Sequence, residues 1–290
     1  MTHKSIEQRV NLPFNTACIE LFVKRDDLIH PFISGNKIRK LKYNILEALE
    51  NHCKGIITYG GAYSNHLIAS AAAGKELGIK VIGKVRGEEL MVQSNAVLQE
   101  CDSMGMKLEF LTRAEFTAQK HRSGMFEDQG ESYWVIPEGG ANLEGVQGCK
   151  EIISELDQTY DYYLVAQGTC TTSLGLLLSI PENAKLIVVP VLKGFDVLQE
   201  MRNLLKNDAL FQSLQSKLII WDTYHHGGYA KKSESLLTFI DEFHTLNDFH
   251  IEPIYTGKVF YALNNEISLG NPIFAGKKVI IIHTGGIHLR

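Results

Sequence analysis

Short apolar runs alternate with stretches of helical periodicity along most of the chain. An alternating segment at 19–23 precedes a helical pattern at 40–49. Apolar runs at 55–59, 80–85 and 107–111 precede helical patterns at 65–77, 94–104 and 114–127, and a run at 133–137 closes this set. A second series has apolar runs at 162–166, 186–190, 218–221 and 279–283, separated by helical patterns around 174–179, 195–205, 233–246 and 258–267. Strands rich in Val, Ile and Leu that alternate with helices of this length build βαβ units and a parallel sheet. Two such series predict an α/β fold of two open-sheet αβα domains. A dinucleotide-binding reading suits the alternation but fails on motif grounds, because no GxGxxG follows the first strand.

Composition narrows the class without naming a chemistry. The 290 residues are 44% hydrophobic with a formal net charge of −4, enough for one large core or two modest ones. The basic residues are dispersed, which argues against nucleic-acid or membrane-surface partners. Residues 1–30 are interrupted by charges and no apolar run reaches the length of a membrane span, so a cytoplasmic protein is expected. The five cysteines show neither CxxC nor Cys/His ligand spacing and read as free thiols, with no metal site expected.

Several local patterns carry chemistry. Lys37 lies in Ser34-Gly35-Asn36-Lys37-Ile38-Arg39-Lys40-Leu41, at a Gly-containing strand-to-helix turn. Such a lysine is either a solvated helix-start cation or an amine presented for reaction; Arg39 and Lys40 read as solvated first-turn cations. Gly60-Gly61-Ala62-Tyr63-Ser64-Asn65-His66 opens a helix, where Ser64 and Asn65 form a plain N-cap or, with the orphan N–H groups, a carboxylate site. His66 is a ligand on the carboxylate side or a packed helix residue. The small residues of Gln167-Gly168-Thr169-Cys170-Thr171-Thr172-Ser173 either start a helix or surround a phosphate with N–H groups and hydroxyls. Tyr255 and Thr256 precede Gly257-Lys258, and Thr284 follows the last strand, at the sheet end where ligands bind in open α/β folds. His225-His226-Gly227-Gly228-Tyr229 reads as a glycine-rich loop, with Tyr229 a candidate to line the site; adjacent histidines face apart and make poor joint metal ligands.

Lys24-Arg25-Asp26-Asp27-Leu28, the Lys37 segment, the Gly60–His66 segment, Glu252-Pro253-Ile254-Tyr255-Thr256-Gly257-Lys258 and His283-Thr284-Gly285-Gly286 together resemble the family of 1-aminocyclopropane-1-carboxylate (ACC) deaminases and D-cysteine desulfhydrases. These are pyridoxal-phosphate enzymes of the tryptophan synthase β-subunit type, and the resemblance spans nearly the whole chain. It implies that Lys37 carries pyridoxal 5'-phosphate as a Schiff base and that Asn36 bonds the cofactor's phenolic oxygen. Gly168, Thr169, Cys170, Thr171 and Thr172 are expected to cup the phosphate, with Cys170 in place of a family glycine. Ser64, Asn65, His66 and Tyr255 are expected on the substrate side, Ser64 and Tyr255 with catalytic roles, and Thr284 is expected to face the pyridine nitrogen. The resemblance further implies a homodimer acting on a small amino acid, the cofactor lying in the cleft between a large domain (1–47 and 157–290) and a small one (48–156).

ACC deaminases of this family carry a glutamate directly after the tyrosine and a leucine before the Gly-Gly pair. Here those positions are Thr256 and Thr284. A neutral hydroxyl leaves the pyridine a weaker electron sink than a carboxylate does, which suffices for β-elimination of a good leaving group. The expected activity is therefore D-cysteine desulfhydrase-like. ACC deamination and a catalytically idle cofactor-binding protein are the alternatives, the second opposed by the presence of Ser64, Asn65 and Tyr255.

Overall fold

The polar edge strand β1 (Glu7–Arg9) runs antiparallel to β2 (Glu20–Lys24), in a computed structural model that describes residues 5–30, 32–33, 35–128 and 130–285. Then come α1 (Asn36–Glu50), β3 (Gly55–Gly60), α2 (Asn65–Leu77), β4 (Lys80–Arg86), α3 (Ala96–Ser103), β5 (Lys107–Leu111), α4 (Arg113–Gln119), β6 (Gly124–Asp128) and β7 (Glu131–Ile136). The remainder is α5 (Leu143–Ser154), β8 (Tyr162–Gln167), α6 (Thr171–Leu177), β9 (Lys185–Pro190), α7 (Val197–Leu205), α8 (Asp208–Leu214), β10 (Leu218–Ile220), α9 (Glu234–Leu246), α10 (Thr256–Ser268) and β11 (Lys278–Ile282). One sheet runs β5-β4-β3-β7-β6 and the other β1-β2-β11-β8-β9-β10. All pairings are parallel except the edges β6–β7 and β1–β2, as expected of βαβ construction.

Contacts divide the chain into two units, His30–Cys149 and the segments through Ile29 and from Lys150. The expected boundaries at 47/48 and 156/157 differ from this grouping, in which α1 belongs with the first sheet. Its Leu41 and Ile45 share a core with Leu67, Leu98 and Trp134. Each fully buried aliphatic side chain of that kind contributes about 1.5–3 kcal/mol. The other core is built from Leu164, Ile187, Phe243, Phe260 and Ile281.

Three local expectations needed revision. The helix expected at 114–127 ends at Gln119, and β6 follows as an exposed edge strand held by its ladder to β7, Met125 opposite Trp134. β1 is too short and polar to show as an apolar run. Helix α5 was masked by its glycines, one of which has a packing reason: a Cβ on Gly148 would lie 1.9 Å from the Arg39 carbonyl oxygen. α5 therefore packs directly on the first turn of α1.

Candidate functional site

Lys37 is the second residue of α1 and not part of a turn before it, since the helix starts at Asn36 behind Gly35, whose φ is +65°. Ser34 lies outside the described residues. The Lys37 amine donates to the Asn36 side-chain oxygen at 3.2 Å. Lys40 lies one turn on, on the same helix face, 2% exposed, and donates to the Gly139 carbonyl at 3.2 Å. Desolvation, and after it the Lys40 charge, hold the Lys37 ammonium well below the usual lysine range. Arg39 is buried as well, so neither it nor Lys40 is the solvated cation that the sequence suggested.

The face behind these lysines is fixed by a buried amide network. Asn44 Nδ2 donates to the Lys40 carbonyl at 2.8 Å and to Asn142 Oδ1 at 3.0 Å. Asn44 Oδ1 accepts from Trp134 Nε1 at 3.1 Å and from Asn142 Nδ2 at 2.7 Å. Four bonds on one buried carboxamide satisfy it fully and tie α1 to β7 and to the start of α5.

At the opening of α2, the Ser64 oxygen accepts from the backbone N–H groups of His66 (3.2 Å) and Leu67 (3.3 Å). The cap occupies the oxygen's lone pairs and leaves its O–H free to donate outward. Asn65 is half-buried beside it. His66 is 2% exposed; its Nε2 lies 2.9 Å from Thr58 Oγ1, whose own proton goes to the Ile136 carbonyl at 3.0 Å. That assigns the hydrogen to Nε2 and a lone pair to Nδ1, which has no partner. Desolvation and the Lys37 and Lys40 charges hold this imidazole neutral, well below its usual pKa. His66 therefore presents an acceptor, which is the wrong polarity for gripping a carboxylate through its ring.

In the second unit, Gln167 ends β8 and the loop of Gly168, Thr169 and Cys170 leads into α6, which starts at Thr171. Thr169 and Thr171 hydroxyls stand 3.2 Å apart, Thr171 and Thr172 are buried, and the Cys170 thiol turns toward the Val197 carbonyl at 3.8 Å. A Cβ on Gly168 would sit 3.1 Å from the Tyr255 ring, so a larger residue there would push that ring back by a few tenths of an ångström. Tyr229 packs edge-on to Tyr255, with ring centroids 6.1 Å apart. The Glu252 carboxylate caps α10 by accepting from the N–H groups of Ile254, Tyr255 and Thr256 at 2.7, 2.9 and 2.8 Å. Thr256, 1% exposed, keeps a side-chain hydroxyl with no partner.

Thr284 is half-buried after β11; Gly286 of the same motif lies outside the described residues. Its neighbour His283 donates Nε2–H to the His250 carbonyl (3.2 Å) and accepts Gly285 N–H on Nδ1 (3.2 Å), so both ring nitrogens hold backbone. The Lys24–Leu28 motif is scaffolding around that point. Arg25 makes a two-point contact with Asp27 at 2.9 and 2.7 Å, stacks over Phe249, and His283 N–H bonds the Lys24 carbonyl at 3.0 Å.

These residues fit the cofactor that the resemblance implies. A desolvated amine of lowered pKa is what imine chemistry requires. Unpartnered buried polar atoms at His66 and Thr256 stand on two of the segments expected to meet cofactor and substrate. Sequence reasoning missed the burial of Lys40 and Lys258 and the capping role of Glu252, which no local pattern announces.

Comparison with known proteins agrees. A Pyrococcus horikoshii protein provisionally named as an ACC deaminase is 31% identical over 281 residues, 92% of this chain and 85% of that protein. A mitochondrial bifunctional D-cysteine desulfhydrase/ACC deaminase of Arabidopsis thaliana is 28% identical over 96% of this chain and 75% of its own length. The crystal structure of an ACC deaminase homologue superposes with a TM-score of 0.79 at 26% identity, covering 99% of this chain and 91% of that one. The family model described as "Pyridoxal-phosphate dependent enzyme" matches residues 9–285, and the chain belongs to that family.

Proposed function

We propose that the protein is a lyase that eliminates the β-substituent of a small amino acid, D-cysteine above others, giving pyruvate, ammonia and sulfide. The observation that carries this is Thr256: the buried side chain that begins α10 bears an unpartnered neutral hydroxyl, and the nearby Glu252 carboxylate is engaged by three backbone N–H groups. Nothing acidic is thus offered at the position where the deaminases of the family carry glutamate.

Lys37 would hold pyridoxal phosphate, with Asn36 beside it, the 168–172 loop on the phosphate and Thr284 or Thr256 toward the ring nitrogen. When bound, the cofactor supplies the electron sink that makes the substrate Cα–H acidic and lets the β-substituent depart. The chain's own residues do the rest. Lys37, whose amine pKa burial and the Lys40 charge lower, accepts the Cα proton on Nζ. The opening turn of α2 orients the substrate carboxylate through its N–H groups and Asn65. The Ser64 hydroxyl, held by its two N–H donors, delivers a hydrogen bond or proton to the substrate, and Tyr255 closes the other side. His66 serves this site from behind, through its Nδ1 lone pair.

ACC deamination is the second reading, favoured by the names of two relatives. We further read the enzyme as a cytoplasmic homodimer without nucleic-acid or membrane partners. The family's habit and the lack of a disulfide among the five cysteines support this; among the described residues, no helix is long and apolar enough to cross a membrane. Release of pyruvate or 2-oxobutyrate from D-cysteine, L-cysteine, D-serine and ACC tests the substrate. Pyruvate from D-cysteine at the highest kcat/KM is expected, and a preference for ACC would overturn the ranking.

A further inference from the structure

Lys258 is 0% exposed, yet its ammonium meets backbone and not a carboxylate. Nζ donates to the His225 carbonyl at 2.8 Å and to the Gly228 carbonyl at 2.9 Å. Each of these oxygens already closes a turn, accepting from Gly228 N–H at 3.0 Å and from Lys231 N–H at 3.2 Å. One cation thus binds the two carbonyls that define consecutive turns.

The segment it holds is strained. His226, Gly227, Gly228 and Ala230 have φ of +51°, +93°, +118° and +57°. Non-glycine residues in that region cost about 1–2 kcal/mol each, so the conformation persists only where its surroundings impose it. The strain yields little core: Tyr229, between Gly228 and Ala230, is 45% exposed and rests edge-on against Tyr255. Lys258 also anchors the other partner of that contact, since its backbone N–H donates to the Tyr255 carbonyl at 3.2 Å.

We propose that Lys258 is a positioning residue: by clamping the carbonyls of His225 and Gly228 it sets the Tyr229 ring against Tyr255 and so shapes the surface offered to the substrate. The inference rests on the lyase reading for the choice of substrate only. A bound cation suits the task because it satisfies two acceptors from a single point, whereas a neutral side chain of that length lacks the donors.

The test is a double-mutant cycle with an independent structural readout. Lys258→Met keeps the side chain's length and removes its donors. We expect native circular dichroism and native cofactor absorbance, faster amide exchange across 225–231, and a kcat/KM for D-cysteine lowered by about 10- to 100-fold. Tyr229→Ala is expected to lose a similar factor. The double variant should be close to the worse single variant, because the clamp acts through that ring. Losses that multiply, or Lys258→Met with native kcat/KM, overturn the proposal.

Should Lys258→Met fail to fold, Gly228→Ala displaces the same loop from outside the core: its φ of +118° resists a side chain, while its Cβ would meet Lys193 only at ordinary contact distance. Native kinetics with a displaced loop would again overturn it. Amide exchange needs no turnover, so loosening of 225–231 in a protein inactive toward every amino acid supports the clamp while removing the lyase reading.

Discussion

Two lysines at the starts of helices, one in each unit, Lys37 half-buried and Lys258 fully buried, are put to opposite uses. Lys37, at the start of α1, donates to Asn36 Oδ1 and has a second cation one turn away. Lys258, at the start of α10, gives its protons to two carbonyls, and its pKa falls to about 8 through burial, moderated by Glu252. At Lys37 the Lys40 charge acts in the same direction as burial, whereas at Lys258 the Glu252 carboxylate opposes it. A buried amine becomes a base when its charge is poorly housed and a clamp when it is well housed.

The largest effect that tests this contrast is Lys37→Ala. It should abolish turnover and remove covalent cofactor attachment while circular dichroism stays native, whereas Lys258→Met should leave attachment intact. Ser64→Ala should come next, lowering kcat/KM by about 10²- to 10⁴-fold if the hydroxyl acts on the proton. Loss of the cap costs about 1 kcal/mol of stability besides; unchanged kcat/KM with every active amino acid would reduce Ser64 to that cap. Lys40→Met removes the neighbouring cation, so the acid-side limb of the pH dependence of kcat should move upward as the Lys37 pKa rises; an unmoved profile would show that burial alone sets it.

Thr256→Glu tests the other unit. A carboxylate there should shift the bound cofactor's absorbance by favouring ring-nitrogen protonation, and no spectral change would place Thr256 out of reach of the ring.

The smallest expected effect is on stability. The folded pKa of Lys258, about 8, lies below the unfolded value of 10.5. The unfolded chain therefore binds the proton more tightly, and this group opposes folding below pH 8. The opposition fades as pH rises from about 8 to 10.5. Urea titrations of the apo protein at the two ends of that window should show wild type gaining on Lys258→Met; parallel curves would count against the depressed value.

Much of this was legible beforehand. The apolar strands of both sheets announced themselves because parallel strands buried on both faces are continuous in Val and Ile, as at Ile187–Val189 and Ile280–Ile282. The antiparallel edge strands β1 and β6 were not legible, since they are held by their ladders and need no apolar pattern. The Ser64 cap was readable from local rules, as was the turn-rich character of 225–229. Burial of Arg39, Lys40 and Lys258 was not, because a charged residue buried by tertiary partners looks in sequence like one on a solvated helix face. The tautomer of His66 depends on Thr58 and Ile136, which are remote in sequence.

Borohydride reduction of the cofactor-loaded protein, followed by digestion and mass spectrometry of the lysine peptides, tests the central claim most directly. A reduced pyridoxyl group on Lys37 and on no other lysine is the predicted result. A label on Lys40 or Lys258, or no label at all, would contradict the assignment of Lys37 as the reactive amine and the reading of the site built on it.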